Sequence, residues 1–388
     1  MTAVRERFPA LAAGAVYLDG PGGSQAPQEV IDAVAGYLRE TNANLGGAFP
    51  TSAASDDVMA RGRAAAAEFT GAVPDEIAFG ANMTTLNFQL AHAVARTLEP
   101  GDEIVVTRLD HDANVSPWLL VARDHGLTVR SAPIRTDDVT LDEDALEELI
   151  GERTRVVAFT LASNAVGSIP NGPRIAAAAH RVGALAWADG VHLAPHRRLR
   201  AGEWGIDVLL CSPYKFFGPH LGIAAIRLDL ARSLPADRVR PASEEPPAHR
   251  FETGTQSHEA VAGATAAIDY LRSLGDGDLD RAFERIEEHE TALARRFLAG
   301  MPDRLSLYGI PRAEGRTPTF CFNIAGLEPR TVARRLGEVG VYVWDGDYYA
   351  LEPMRALGLG ATGAVRAGFL HYTTEEEVDR LLEALAAL

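Results

Sequence analysis

Residues 188–222, ADGVHLAPHRRLRAGEWGIDVLLCSPYKFFGPHLG, decide how the rest of the chain is read. They hold Lys215, the single lysine among 37 lysine and arginine residues. Arginine serves a solvated face, an ion pair or an anion contact as well as lysine does, and here it has taken all of those places. What a guanidinium cannot do is lose its proton near neutral pH and attack carbon. A lysine amine can, once desolvation or a neighbouring cation lowers its pKa. The apolar run Asp207-Val-Leu-Leu-Cys-Ser212 ahead of Lys215 reads as a buried strand, and Phe216-Phe217-Gly218-Pro219 behind it as a turn. A cation at such a place is costly unless it is paired or used. The stretch points to a Schiff-base lysine.

Outward from Lys215, short apolar runs alternate with helical periodicity. Strands are expected at 76–79, 103–107, 128–133, 155–160, 184–188, 208–211 and 222–227, with helices near 86–98, 115–125, 142–150 and 173–182 between them. This alternation predicts an α/β fold, with a large, mostly parallel sheet of about seven strands covered by helices on both faces. The last two strands, joined only by the Lys215 turn, are close enough to pair differently from the rest. Upstream, 29–40 and 56–69 read as helices, and the polar, Gly-rich 42–55 between them as a loop. Downstream, 234–251 is an irregular surface segment, followed by helices at 258–274 and 280–300. Strands at 305–308, 319–324 and 341–344, with helices at 331–339 and 374–388, form a small α/β domain. The expected organisation is an N-terminal segment, 1–20, packing with the small domain, then a large domain, 21–260, and a small C-terminal domain, 261–388. The long helix near 280–300 is the expected hinge.

At 388 residues with 47% hydrophobic and 23% charged residues, the chain has the composition of a globular protein with two domains. A formal charge of −16 argues against nucleic acid or anionic membrane as partners. The N-terminus, MTAVRERFPALAAG, lacks a sustained apolar core, and no uncharged run is long enough to span a bilayer, so a cytoplasmic protein is expected. Cys211 and Cys321 sit in apolar strand-like runs and read as small core residues, and no spacing suggests a metal site.

A lysine of this kind suits pyridoxal 5'-phosphate, which needs an amine for its aldehyde, an acid at its pyridine nitrogen, a phosphate cup and cover over the ring. Asp189, at the end of a strand, could hold a pyridinium N–H, though a turn or N-cap aspartate is an equally ordinary reading. His192, three residues on, could cover another edge or handle a proton. Asn82-Met83-Thr84-Thr85 lies between a strand and a helix, where backbone N–H groups favour an anion; an N-cap explains it as well. Ser212 is a second phosphate candidate. His111 could stack on a ring, and Asn164 could hydrogen-bond the phenolic oxygen of the cofactor. Their weight lies in convergence, because each follows the carboxyl end of a strand, where open α/β sheets place ligands.

The motifs DHDANVSPW, SNAVG, ADGVH, SPYKFFGP, FETGTQ and VRAGFLHYTTEEEVD, in this order, resemble those of the class V aminotransferases among the fold-type I pyridoxal-phosphate enzymes. Within that family they resemble the cysteine desulfurase and selenocysteine lyase branch. The likeness runs from Tyr17-Leu-Asp19 to the last helix. It implies that Lys215 bonds to the cofactor, Asp189 meets the pyridine nitrogen, and His111 stacks on the ring. Thr84, the Met83 backbone and Ser212 would hold the phosphate. It also implies a homodimer in which Thr255 reaches the phosphate of the neighbouring subunit, and Arg366 as the clamp on the substrate α-carboxylate. A planar guanidinium fits that last task well.

Three departures stand out. Desulfurases of this branch carry a persulfide-forming cysteine on a small-domain loop, and Tyr349 falls about there in Trp344-Asp-Gly-Asp-Tyr-Tyr-Ala-Leu-Glu-Pro-Met354. His192 replaces a glutamine, as in epimerase- and lyase-like members. Pro213-Tyr214 precedes the lysine where desulfurases have Gly-His, which puts one phosphate contact in question. The resemblance therefore leads to an amino acid substrate and to a C–S lyase acting by β-elimination without a protein thiol, with transamination and epimerisation as alternatives. Epimerisation would need His192 or Tyr349 on the second face. Tyr348, Tyr349 and Trp344 are either an aromatic wall of the substrate pocket or small-domain core.

Overall fold

The computed structural model describes residues 2–388, so that Met1 of the expected N-terminal segment lies outside the described residues. Seven strands, β1 (Ile77–Gly80), β2 (Glu103–Thr107), β3 (Thr128–Ala132), β4 (Thr154–Thr160), β5 (Leu185–Asp189), β6 (Val208–Cys211) and β7 (Gly222–Ile226), form one sheet in the order β1-β7-β6-β5-β4-β2-β3. From β6 through β5, β4 and β2 to β3 every pairing is parallel. β7 is antiparallel to both its neighbours, β6 and β1. The cause is chain length: a parallel return needs a crossover of a dozen or more residues, and Ser212–Leu221 is too short. β6 and β7 are buried along their whole length, which is why they read as continuous apolar runs rather than alternating ones. The fold is α/β with a mostly parallel central sheet.

A second sheet, β8 (Leu305–Tyr308), β9 (Thr319–Ile324), β10 (Trp344–Gly346) and β11 (Ala364–Gly368), is antiparallel throughout in the order β8-β9-β11-β10. Phe297, Phe320, Phe322, Phe369, Val332 and Leu381 form its core with the helices Pro329–Glu338 and Glu375–Ala386. The short strand Val16–Tyr17 pairs in parallel with Val341–Tyr342, and Asp19 bridges to Gly368. Thus 16–22 is laid from the second sheet toward the first, next to the Lys215 turn. Helix Leu279–Gly300 touches both cores, with Phe283 and Ile286 on the large one and Leu293, Ala294 and Phe297 on the small one.

The structure departs from expectation in four places. The expected loop at 42–55 gives way to a helix from Pro50 to Thr70. Pro50 at its first turn is pre-set for a helix. Its serines, which looked like loop residues, are buried hydrogen-bond partners, Ser52 Oγ donating to the Asn44 carbonyl and Ser55 Oγ to that of Ala43. The expected strand 341–344 is two strands in different sheets, since Val341–Tyr342 joins the N-terminal segment and Trp344–Gly346 joins β11. β11 itself was not anticipated as a strand. Helix His258–Leu274 places Val261, Ala264, Ile268 and Leu271 in the core of the large sheet, so a boundary at 261 cuts off a helix that belongs to the large unit.

Gly222 opens β7 where it passes the start of helix Met83–Ala95. A Cβ there would fall 2.6 Å from the Asn82 carbonyl oxygen and 2.8 Å from Leu86 Cδ1. Gly222→Ala should therefore destabilise the fold by about 1–3 kcal/mol, as overpacking does. It should also push the helix N-terminus off the cavity. A denaturant midpoint equal to that of the wild type would contradict this account.

Candidate active site

Five strands present their carboxyl ends to one edge of the sheet, and the candidate residues follow each of them. After β1, Asn82 caps helix Met83–Ala95, its Oδ1 accepting from Thr85 N at 2.8 Å. The Met83 N–H at that terminus donates to Ser212 Oγ (3.0 Å), which brings β1 and β6 together around one anion-favouring corner. His111 follows β2, Asn164 follows β4, Asp189 and His192 follow β5, and Lys215 follows β6. Met83, Thr84, His111, Asn164, Asp189, His192 and Lys215 all line one narrow inner cavity. This opens into an outer cavity of about 540 Å³ walled by Asp19, Tyr214, Trp344, Asp347, Tyr348, Tyr349 and Arg366 among others.

Electrostatics inside follow from desolvation. Enclosure of the Lys215 amine, and then the nearby Arg366 cation, bring its pKa down to about 7, against the pull of Asp19 and Asp189. Its Nζ donates to the carbonyls of Pro21 and Gly22, residues of the N-terminal segment. Burial raises Asp189 to about 6, although Asp189 Oδ1 accepts from Val191 N at 2.8 Å and Lys215 opposes the shift. Burial, Lys215 and Arg366 lower His111 to about 4. His111 Nδ1 accepts from Ala113 N (3.0 Å), which fixes a neutral ring at the cavity wall. Burial and then His196 hold His192 far below the usual histidine range. Its Nε2 is engaged by Thr319 Oγ1 at 3.0 Å and Thr317 Oγ1 at 3.2 Å. Thr317 Oγ1 also lies within donating reach of the Gly167 carbonyl, which suits an Nε2–H tautomer in His192.

Arg366 lies on β11, buried, with Nη1 donating to the Asn164 carbonyl (3.1 Å) and Nη2 to Asp19 Oδ1 (3.0 Å). Its guanidinium sits 4.5 Å from the centre of the Tyr348 ring, and its Nε has no partner. Asn164 donates from Nδ2 to the Tyr348 carbonyl (2.9 Å) and leaves Oδ1 unpartnered. Tyr348 and Tyr349 are successive left-handed residues (φ 58° and 56°), a conformation that costs a non-glycine residue about 1–2 kcal/mol. Tyr348 is buried against Arg366, whereas Tyr349 is exposed, its ring 5.5 Å from that of His111. Tyr349 therefore borders the outer cavity, not the inner one. Thr255 is not brought to the cavity within the chain; it is exposed in a separate groove with Gly80, Ala81 and His220. Tyr214, whose position put one phosphate contact in question, stacks on His220 (5.1 Å, 14°). Among the described residues no group of side chains could hold a metal ion.

Tyr348, expected as either pocket wall or small-domain core, lines the outer cavity and forms the face under the Arg366 guanidinium. Two residues of the site were not anticipated. Asp19 anchors Arg366, and its signal was its place just before the Gly-Pro-Gly-Gly run. Asp110, adjacent to His111, is a buried carboxyl held by Thr107 Oγ1 and by Asn114 Nδ2 at 2.7 Å, and burial raises it to about 8.

This set fits pyridoxal 5'-phosphate. One amine kept nucleophilic near neutral pH lines a narrow cavity together with a buried carboxyl and an imidazole. A helix N-terminus and Ser212 lie at one corner, and the buried Asn164 Oδ1 lacks a partner within the chain. Comparison with known proteins agrees. The family model described as aminotransferase class-V matches residues 16–381. The aminotransferase-like protein FGM3 of Gibberella zeae is 31% identical across 98% of this chain and 96% of its own. A probable cysteine desulfurase of Mycolicibacterium paratuberculosis is 33% identical across 99% of this chain, which spans 58% of that longer protein. The apo structure of cysteine desulfurase from Thermococcus onnurineus NA1 superposes with a TM-score of 0.91 at 27% identity, covering 100% of this chain and 98% of that one.

Two pH dependences follow. In cofactor-free protein, the rate of capture of pyridoxal phosphate should rise with pH around 7, where the Lys215 amine loses its proton, and level off well below the usual lysine range. A rate still climbing steeply at pH 10 would exclude the shifted amine. Asp110 keeps its proton in the folded protein up to about pH 8, while the unfolded chain loses it near 4. The folded state thus binds more protons in that window, and this contribution to stability falls as pH rises from about 4 to 8. Asp110→Asn should remove that slope, so that the difference between wild-type and variant denaturant midpoints changes across the window. A difference that is flat from pH 4 to 8 would show Asp110 to be ionised.

Proposed function

The chain belongs to the class V aminotransferase family and is a pyridoxal-phosphate enzyme, and from that premise we propose that it is a carbon–sulfur lyase acting on a cysteine-like amino acid without a protein persulfide. One observation carries the proposal. Neither thiol lines either cavity: Cys211 and Cys321 are both fully buried in strands, and burial pushes both thiols up and away from the thiolate. Tyr349 borders the cavity from the loop on which desulfurases carry their cysteine. Sulfur must then leave with the substrate's own electrons and not on an enzyme thiol.

Pyridoxal phosphate, when bound, supplies an electron sink for the carbanion formed at the substrate Cα. Lys215 is proposed to bond to its aldehyde, Asp189 to hold the pyridine nitrogen, and Met83 N–H, Thr84 and Ser212 to hold the phosphate. His111 would lie against the ring, and Asn164 would meet the phenolic oxygen. Arg366, already oriented by Asp19, offers its free Nε–H to the substrate α-carboxylate. Lys215 would be the base that takes the Cα proton. The Cβ–S bond would break with its electron pair going to sulfur, which would leave as a thiol or sulfide, and one water would balance the release of pyruvate and ammonium. His192, neutral and tied to two threonines, is a poor proton donor, and this favours a one-base reaction over epimerisation. In a homodimer, as proposed for this chain, the exposed Thr255 is free to reach the phosphate site of the second copy.

Purified holoenzyme with L-cysteine or S-alkyl-L-cysteines should release pyruvate and sulfide or thiol one for one, and Cys211→Ala and Cys321→Ala should keep that turnover. Accumulation of a pyridoxamine form with no sulfur released would replace this reading with transamination. Arg366→Lys loses a fork of charge-assisted hydrogen bonds and should lower kcat/KM about 10–100-fold. An unchanged kcat/KM would remove Arg366 from carboxylate binding. Lys215→Ala should retain no covalently held cofactor after borohydride treatment, since no other lysine exists.

A further inference from the structure

The outer cavity differs in character from the inner one. Its floor carries the Arg366 guanidinium, partly balanced by Asp19, beside the Lys215 amine. Its rim is aromatic and anionic. Trp344 on β10 stands directly opposite Arg366 on β11 in an antiparallel pair, so the two side chains share one face of the small sheet. A carboxylate held by Arg366 therefore has the indole as its neighbour toward the mouth. That indole is 54% exposed and the Tyr349 ring 70% exposed, two large aromatic faces at the entrance of one cavity.

Asp347 lies between them in sequence and lines the same cavity. Its Oδ1 accepts from Tyr349 N at 3.0 Å, and among the described residues no hydrogen bond engages its Oδ2. Asp347 is near enough to His111 to oppose, as the weakest influence on it, the lowering of its pKa. Asp345 also borders this cavity, but its carboxylate is already paired with Arg330 at 3.1 Å. Two further groups point to a ligand in the same cavity. Arg366 Nε and Asn164 Oδ1 are unpartnered, in residues only 4% and 8% exposed. A carboxylate flanked by aromatic faces is a good receptor for a cation, which gains from both the charge and the ring quadrupole. An anionic side chain at the same place would face Asp347, and a neutral one would leave it unpaired.

We propose that the outer cavity selects amino acids whose side chain ends in a cation, an ammonium or a guanidinium, held by Asp347 between Trp344 and Tyr349. This rests on Arg366 taking the α-carboxylate, as proposed above, which sets the direction of the side chain from floor to rim. Joined to the lyase reading, it names the substrate class as S-substituted cysteines bearing a basic group beyond the sulfur.

Equilibrium titration of the holoenzyme, followed by the cofactor absorbance, tests this without any turnover. L-Lysine should bind at least about tenfold more tightly than L-norleucine, which has a methyl in place of the ammonium. L-Arginine should exceed L-citrulline in the same way. Asp347→Asn should erase both preferences, and Trp344→Ala should reduce them. Equal affinities in the wild type, or preferences that survive in Asp347→Asn, would overturn the proposal even if pyruvate release from S-alkylcysteines persists. Failure of every amino acid to perturb the absorbance would overturn both this proposal and the reading on which it rests. In turnover, S-(2-aminoethyl)-L-cysteine should exceed its isostere S-propyl-L-cysteine in kcat/KM by a similar factor, and the reverse order would count against it.

Discussion

An ammonium withdrawn from water is the constraint on which the site depends. Enclosing the Lys215 amine among strand ends disfavours its charged form, and the fold adds a second cation, Arg366, close enough to reinforce the effect. The two carboxylates nearby, Asp19 and Asp189, oppose the shift without cancelling it. The outcome is an amine that is neutral for part of its time near physiological pH and therefore able to attack carbon. The same desolvation acts on its neighbours. Asp189 and Asp110 are raised, and His111 and His192 lowered, so the cavity is more nearly neutral than its residue types suggest.

Building that enclosure requires two sheets and the segment between them. The parallel strands deliver their carboxyl ends to one edge, and the antiparallel β7 closes the edge beside Gly222. The N-terminal strand Val16–Tyr17 is stitched to the second sheet and lays Asp19 to Gly22 across the mouth. Pro21 and Gly22 then accept from Lys215, while Asp19 accepts from Arg366. Three regions distant in sequence, 16–22, 212–218 and 364–368, thus meet at two polar side chains.

What could be read from the sequence was what is carried by residue type. A lone lysine in an arginine-only chain needs no neighbour to be conspicuous, and Asp189, Asn164 and His111 each follow an apolar run whose end is visible. The parallel sheet was legible for the same reason, because buried strands read as unbroken apolar runs. What the sequence hid was carried by pairing. Asp19 resembles any turn aspartate until β11 is placed beside it. Ser52 and Ser55 look like loop residues until their hydroxyls find the carbonyls of 43 and 44. Val341–Trp344 looks like one strand because nothing local says that its halves join different sheets. Thr255 is conspicuous in its motif yet sits apart within the single chain.

The aromatic and acidic rim bears on what residues 344–354, which contain no cysteine, can do. A persulfide site needs a mobile thiol that can swing toward the substrate and away. Residues 344–349 are built the opposite way. Trp344–Gly346 is hydrogen-bonded into a sheet, Tyr348 is buried under Arg366, and Asn164 clamps the Tyr348 carbonyl. Two successive left-handed tyrosines persist only where surrounding contacts over-determine them. Such a segment is suited to holding a fixed surface against a substrate side chain. Rigidity here and the burial of both thiols support the proposed reading, in which this loop meets the substrate side chain and Lys215 carries the chemistry.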